Sequence, residues 1–299
     1  MANRQDFRND DVKPQKAFDM TVASVNFRSY AESVPEVLNR IGAADVLSRQ
    51  DAVLIKPNLI NADPHPVTTP AACCEALIDY IRDCSTADIV IAEGCGDAGC
   101  ETPEVFAALG YEALAARKNV RLVDLNTAPL RRSVNASCTL FPEMRLPEVV
   151  FTHYLISVPV LKAHSLAEIT GTCKNMMGVL PPQHYGGHPG HWKKAQFHHD
   201  LHRSIRELID HRAPDMSLMD ASVGLACFHL GGPPCDPPLN RLLAGFDPLA
   251  LDRRAAGLLG MDWQTIPHLA SDGGPWTNEL ELKPGRAGRK GGMPGHRRL

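Results

Sequence analysis

The sequence YLISVPVLKAHSLAEITGTCKNMMGVLPP, at residues 154–182, decides how the rest of the chain is arranged. It opens with an apolar run of strand length at 154–161. Within this run Pro159 indicates a strand end or an edge position, because proline donates no hydrogen bond to a neighbouring strand. The run leads directly to Lys162 and His164. We therefore expect both side chains at the tip of a buried strand, where the crevice of an α/β sheet binds ligands.

A second polar cluster follows ten residues later, in the segment TCKNMMG at 172–178. Lys174 adds a second amine and Asn175 a carboxamide, and the segment ends at Gly178. A solvated lysine or a capping histidine would explain any one of these residues alone. Together they offer more polar groups than a core element needs, and such groups bind carboxylate, phosphate or, through the imidazole, a metal ion. The sequence therefore predicts an anion or metal site.

Strand-length apolar runs alternate with helix-length amphipathic segments along most of the chain. The clearest of these runs lie at 53–58, 87–93, 154–161 and 215–220. This alternation predicts an α/β fold with a mainly parallel, doubly wound sheet and flanking helices. We expect a single domain over 20–282, a polar arm at 1–19 and a disordered, basic tail at 283–299.

The ends of these runs supply further candidates for binding. Lys56 and Asn58 close one strand, and a helix capped by Thr68 or Thr69 is predicted after it. The turn that follows the next strand carries glycines at 94, 96 and 99, a spacing like that of a dinucleotide-binding turn, so a phosphate-binding turn and an ordinary tight turn both stay open. The remaining candidate binding residues are Glu93, Gly94, Asn175, Gly178, Asp220 and Asp252.

Residues 183–212 are rich in histidine. Proline and glycine in the first half predict an irregular lid over the crevice, and a helix is expected from Gln196 onward. On such a helix His198 and His202 would be one turn apart, so both imidazoles could bind one metal ion, and His164 is a third candidate ligand. Stacking or hydrogen bonding without a metal would explain these histidines equally well.

Composition narrows the class of protein. The net charge of −3 over 299 residues suggests neither nucleic acid nor an acidic membrane surface as a partner. No apolar run approaches the roughly 20 residues that span a bilayer, and no apolar signal region follows the start, so we expect a cytoplasmic protein. The nine cysteines include no C-x-x-C pair, which predicts reduced thiols without a ferredoxin-type cluster of the protein's own. The oligomeric state stays open.

Several short motifs resemble, in order, the family known as domain of unknown function 362. They are KPNL at 56–59, TTP at 68–70, IAEG at 91–94, ISVPVLKAHS at 156–165, CKNMMG at 173–178, MDASVG at 219–224 and AGFDPLALD at 244–252. Some members of that family carry iron-sulphur modules or twin-arginine leaders, so the resemblance implies redox chemistry. Because this sequence shows neither feature, we expect an external electron donor.

The layout is also similar to the N-terminal domain of lactate racemase. In that domain a strand ends in a histidine and is followed by a glycine-rich segment with a lysine, and these groups hold a nickel pincer nucleotide. His164, Lys174 and Gly178 occupy similar positions in this sequence. The longer motifs of the racemase are missing, so the resemblance serves only to rank classes of ligand.

These observations predict an enzyme that binds a small anionic substrate, or a nucleotide-like or metal cofactor, at the carboxyl ends of its strands. His164, Lys162 and Lys174 are the candidate catalytic residues, because imidazole and amine groups transfer protons when their surroundings shift their pKa towards neutrality. The alternative is a non-catalytic carrier or sensor that uses the same crevice for an anion or a metal.

Overall fold

The computed structural model describes residues 22–187 and 192–270. The strands are β1 (Val22–Asn26), β2 (Ala52–Pro57), β3 (Asp88–Glu93), β4 (Arg121–Asp124), β5 (Leu130–Val134), β6 (Glu143–Pro147), β7 (Tyr154–Val158), β8 (Val160–His164), β9 (Glu168–Thr170), β10 (Met216–Leu225) and β11 (Arg241–Gly245). The α-helices are α1 (Tyr30–Arg40), α2 (Ala43–Leu47), α3 (Ala71–Cys84), α4 (Thr102–Ala108), α5 (Tyr111–Lys118), α6 (Val149–Thr152), α7 (Thr172–Asn175), α8 (Pro182–Tyr185), α9 (Leu201–His211), α10 (Pro248–Leu258) and α11 (Pro267–Ala270). None of the helices in these two ranges is long and apolar enough to cross a membrane. The predicted arm at 1–19 and tail at 283–299 lie outside the described residues.

The central sheet has the strand order β1-β11-β10-β7-β2-β3-β4. The pairs from β10 through β7, β2 and β3 to β4 are parallel, whereas β11 runs antiparallel to both β1 and β10. Strands β5 and β6 form a separate antiparallel hairpin. The predicted α/β fold with a mostly parallel sheet and flanking helices is confirmed.

Side chains of the inner parallel strands β2, β3, β7 and β10 are buried on both faces of the sheet, unlike those of the edge strand β4. Val53 and Ile55 of β2 pack with α1 to α5, whereas Leu54 between them packs with α6, α7 and α9 on the opposite face. This alternation follows from the two-residue period of a strand, and burial of both faces explains why the strand is a continuous apolar run. Helices therefore cover both faces and leave the strand ends for a site.

The order of the strands reverses at β2. From β2 the chain continues to β3 and β4 on one side, while β7 and β10 lie on the other side. In open α/β sheets, helices and loops diverge at such a reversal and leave a crevice beyond the carboxyl ends of the strands. The topology thus places the crevice beside the ends of β2, β3 and β7.

Pro159 divides the predicted strand at 154–161 into two. Strand β7 ends at Val158, and β8 then pairs with β10 and forms an antiparallel hairpin with β9. Proline donates no hydrogen bond, although its carbonyl oxygen still accepts one from the Asp220 amide at 2.8 Å. The strand predicted at 154–161 is thus two strands, and Lys162 and His164 lie in the second, buried one, with His164 as its last residue.

Two helices begin at residues other than those predicted. Helix α3 follows Pro70, and no side chain caps it, because the Thr69 hydroxyl donates to the Val158 carbonyl and accepts from the Asn58 amide. The helix expected from Gln196 begins at Leu201, with Asp200 as its N-cap. A short 3-10 helix, Ala195–His198, precedes it.

Candidate functional site

A cavity of about 310 Å³ lies at the crevice. Strands β2 and β3 contribute residues at or just beyond their carboxyl ends, the β8–β9 hairpin forms one wall, and α7 closes another. The predicted site residues that line it are Asn58, Glu93, Gly94, Lys162, His164, Lys174, Asn175, Gly178 and His198. Most of the residues expected to converge on one pocket are thus brought together.

Six predicted residues do not line this cavity, namely Lys56, Thr68, Thr69, Asp220, Asp252 and His202. The two threonines hold the loop between β2 and α3, since Thr68 donates its hydroxyl to the Asp63 carbonyl. Asp220 accepts a hydrogen bond from the Tyr30 hydroxyl at 2.6 Å and lies 3.2 Å from Nε2 of His65. Thr68, Thr69 and Asp220 therefore bond to other parts of the protein and lie outside the cavity lining.

Lys56 and Glu93 form a buried ion pair beneath the cavity, with Nζ and Oε2 2.8 Å apart. Nζ also donates to Oδ1 of Asn175 at 3.2 Å. Burial lowers the pKa of Lys56, and the charge of Glu93 partly offsets this shift. A Cβ atom at Gly178 would come within 2.5 Å of Nζ, so only glycine allows α7 and the turn after it to approach the pair this closely.

Three lysines that do not pair with Glu93 also line the cavity. Lys162 donates to the side-chain oxygen of Asn58 at 2.7 Å and to the Val67 carbonyl at 2.6 Å. Lys194, which the sequence analysis did not single out, donates to the Asn126 side chain and the Leu180 carbonyl. The ammonium group of Lys174 forms no hydrogen bond or ion pair with any residue in 22–187 or 192–270.

The pKa values of these lysines are lowered towards neutrality. Burial, together with repulsion from Lys174, lowers the pKa of Lys162 to about 7. Burial and the charge of Lys56 lower the pKa of Lys174 to about 8, and burial lowers the pKa of Lys194 to about 7. Unpaired ammonium groups out of water lose part of their charge in this way.

The cavity histidines are neutral rings in two different tautomers. Nδ1 of His164 accepts hydrogen bonds from the amides of Leu166 and Ala167 at 3.0 and 3.1 Å, so the proton of the neutral ring is on Nε2. Nδ1 of His198 lies 3.2 Å from the Lys194 carbonyl oxygen, which can only accept, so Nε2 of that ring keeps its lone pair. Burial is the largest cause of the lowered pKa in both rings. One imidazole can therefore donate and the other accept.

The histidines predicted as metal ligands are not arranged as expected. His198 lies in the 3-10 helix and His202 in α9, so the two do not share the single helix that was expected. Nδ1 of His202 contacts Nδ1 of His268 at 2.8 Å. The described residues contain no group of three histidine, cysteine, aspartate or glutamate side chains that could hold a metal ion. His164 has its lone pair engaged by two amides, which does not fit nickel or zinc ligation.

Two further polar atoms lie at the cavity without a partner among the described residues. They are Oγ1 of Thr170, at the end of β9, and Nδ1 of His229, in the loop between β10 and β11. The His229 ring stacks on His164 with centroids 3.7 Å apart. Buried polar atoms are normally hydrogen-bonded, so groups left open here indicate places that a ligand can occupy. The local sequence around Thr170 or His229 contains no pattern that predicts a position at the cavity.

Asp252 caps α7 from α10 and does not face the ligand space. Its two carboxylate oxygens accept hydrogen bonds from the amides of Thr172 and Cys173 at 2.7 and 2.8 Å. Burial raises its pKa to about 6, although these hydrogen bonds lower it. The carboxylate also fills the space where Gly171 would carry a Cβ atom, so this position admits only glycine.

Replacing Asp252 by alanine is expected to lower the free energy of unfolding by about 2–4 kcal/mol, because two buried amides lose their acceptor. Urea denaturation measures the change. Asp247→Ala is the matched control, since Asp247 caps the exposed start of the same helix and its loss should cost only about 1 kcal/mol. Equal effects of the two substitutions would contradict the capping role of Asp252.

The fold and the site define an α/β protein with a cationic, histidine-bearing cavity at the point where its strand order reverses. The model of the family described as domain of unknown function (DUF362) matches residues 53–257, and the chain belongs to that family. No curated protein matches the chain.

The lactate racemase apoprotein from Thermoanaerobacterium thermosaccharolyticum has a similar fold, with a TM-score of 0.51 and 11% identity. The match covers 78% of this chain and 55% of the racemase, so this chain spans only about half of that protein. A likeness at this identity shows the fold alone.

Proposed function

We propose that the cavity binds a small anion through a carboxylate or phosphate group, and that the protein is an enzyme acting on an anionic substrate or with an anionic cofactor held there. The observation that carries the proposal is the ammonium group of Lys174, which lines the cavity without a partner among the described residues. Lys162 and Lys194 lie at the same cavity and donate only to neutral oxygen atoms.

The balance of charge supports an anionic ligand. Glu93 is the one carboxylate among the lining residues of the described chain, and Lys56 already neutralises it at 2.8 Å. Three further lysines therefore meet at a site without a counter-ion. Buried charges are stable only when they are paired, so an anion that enters the cavity relieves the cost of keeping these groups out of water.

The two tautomers of histidine support catalysis more than simple carriage. The Nε2–H of His164 can donate to an oxygen on which negative charge develops, and the free lone pair of His198 can accept a proton. Lysines with a pKa near neutrality can exchange protons at physiological pH, which a carrier would not require. Redox chemistry with an external electron donor rests on the family resemblance alone.

A nickel pincer nucleotide of the racemase kind fits these residues only in part. The lysines suit the phosphate of a nucleotide-like group, whereas Nδ1 of His164 is engaged by two amides and its Nε2 carries the proton of the neutral ring. We therefore assign no step to a metal. Elemental analysis and mass spectrometry of small molecules released from protein purified without oxygen would identify any resident group.

Lys174→Met is expected to weaken the binding of inorganic phosphate by about 10–100-fold, the effect of losing one charge-assisted hydrogen bond in a protected site. The fold should persist, since Lys174 has no partner to lose among the described residues. Isothermal titration calorimetry measures the affinity for phosphate and, in parallel, for acetate.

Lys118→Met serves as the control, because it makes the same chemical change on α5, where Lys118 pairs with Asp79 outside the cavity. Its affinity for the anion should equal that of the unchanged protein. If Lys174→Met binds phosphate and acetate as tightly as the control, the anion does not bind at this cavity and the proposal fails.

A further inference from the structure

Exposed apolar side chains gather at the mouth of the cavity. The large hydrophobic residues that are exposed in the described part of the chain are Val134, Leu140, Leu166, Trp192 and Phe228, and the last three all line the cavity. They come from three separate segments, the β8–β9 turn, the stretch before Ala195–His198 and the β10–β11 loop. Single exposed apolar residues are ordinary, whereas a convergent group marks a binding surface.

We propose that the ligand is an aryl anion, a planar aromatic or heteroaromatic ring that carries a carboxylate or phosphate. Its charged group would lie among the lysines, and its ring would lie at the apolar rim formed by Leu166, Trp192 and Phe228. This inference rests on the proposed function. The proposed function assigns the charged group of the ligand to the lysines, and the inference adds the aromatic ring that carries this group.

The polarity of the cavity changes from its base to its mouth. Lys162 and Lys194 are 1% and 4% exposed, whereas Trp192 and Phe228 are 41% and 42% exposed. A ligand that satisfies both ends has one charged end and one apolar end, and it enters with the charged end first. Inorganic phosphate or acetate satisfies only the base and leaves the rim in contact with water.

Aromatic rings continue from the rim towards the base, which favours an aromatic ligand over an aliphatic one. Phe228 lies edge-on to His229, with ring centroids 4.9 Å apart and an angle of 62° between the rings. His229 in turn stacks on His164. Aromatic rings gain from edge-on and offset contacts with another ring beyond the area that they bury. A cavity of about 310 Å³ is at the small end for ligand pockets and suits one or two rings.

The test is a series of titrations in which the charged group of the ligand stays the same and the ring attached to it is varied. Inorganic phosphate, cyclohexyl phosphate and phenyl phosphate are titrated into the full-length protein, with acetate, cyclohexanecarboxylate and benzoate as the carboxylate series. We expect phenyl phosphate to bind about 10-fold more tightly than phosphate and about 3-fold more tightly than cyclohexyl phosphate. The series that binds more tightly distinguishes a phosphate from a carboxylate head.

Trp192→Leu should remove the advantage of phenyl over cyclohexyl phosphate and leave the affinity for inorganic phosphate unchanged. Val134→Ala is the control, because it trims an exposed apolar residue that does not line the cavity. Equal affinities for phosphate and phenyl phosphate would overturn the aryl ligand and leave the proposed function standing. Failure of every anion to bind would overturn the proposed function itself.

The alternative explanation for the exposed apolar rim is that another protein surface binds there. Analytical ultracentrifugation of the unchanged protein and of Trp192→Leu distinguishes the two. A larger assembly that dissociates in Trp192→Leu, together with an unchanged preference for the phenyl ring, would show that the rim is an interface and would overturn the inference. We expect the same mass for both proteins.

Discussion

Replacing Glu93 by glutamine is expected to lower the free energy of unfolding by about 3–5 kcal/mol, because it leaves Lys56 buried without a counter-charge. Nζ of Lys56 lies 2.8 Å from Oε2 of Glu93, and both side chains are almost fully buried. The carboxylate also accepts hydrogen bonds from the amides of Leu59 and Gly94, so it anchors the loops after β2 and β3. Urea denaturation measures the loss.

A second substitution separates the buried charge from general damage to the core. Lys56→Met in the Glu93→Gln background should recover much of the lost stability, since a neutral side chain of similar length no longer needs a partner. Glu75→Gln is the control, because its ion pair with Arg117 lies at the surface and contributes less than about 1 kcal/mol. A Glu93→Gln protein as stable as this control would contradict the role given to the pair.

The sheet could be predicted from the sequence because its strands are buried on both faces. A run such as Val53 to Ile55 must be apolar at every position, and few other structures require that over so short a length.

The residue that caps a helix is harder to predict, because each of two neighbouring serines can accept a hydrogen bond from a backbone amide. Ser33 followed by Pro35 is typical of a helix cap with proline in the first turn, yet Ser29 caps α1. The Ser29 hydroxyl accepts from the Glu32 amide, whereas the Ser33 hydroxyl accepts from the Arg28 amide. Pro35 consequently lies inside the helix.

The site could be predicted in part because parallel strands bring their carboxyl ends to one edge of the sheet. Asn58 and Glu93 lie at the cavity for that reason. Lys194 and His229 reach it through long loops, and the path of a loop depends on tertiary contacts that leave no periodic pattern in the sequence.

Acidic residues show a second limit of the sequence. Asp220 and Asp252 were expected to bind a ligand, but each is buried and bonded to groups distant in the chain, Tyr30 in one case and the start of α7 in the other. A carboxylate near a strand end or a helix start has the same local sequence whether it faces a ligand or the backbone. Only the fold decides between the two roles.

Raising the pH from 7 to 8.5 is expected to stabilise the ligand-free protein and to weaken its binding of anions. The pKa values of Lys162 and Lys194 are about 7 and that of Lys174 is about 8, against an ordinary value of 10.5. In this window the unfolded chain therefore holds more protons on these lysines than the folded chain, so the free energy of unfolding rises with pH. The affinity for acetate, which keeps its single charge throughout this window, falls because the folded lysines lose their charge.

The opposite signs of the two effects make this prediction specific. Urea denaturation and acetate titration at pH 7, 7.5, 8 and 8.5 measure the two effects. The window ends at pH 8.5 because buried thiols such as Cys74, whose pKa burial raises to about 12, act in the reverse direction once free thiols ionise near pH 9. Histidines such as His229, whose pKa burial lowers to about 3, add a small rise in stability only at the start of this range, since a free imidazole with an ordinary pKa of about 6.5 keeps few protons at higher pH. Lys162→Met should reduce both slopes. Slopes unchanged in Lys162→Met would contradict a lowered pKa for Lys162, and a protein whose stability falls across the window would contradict the burial of these charges as a whole.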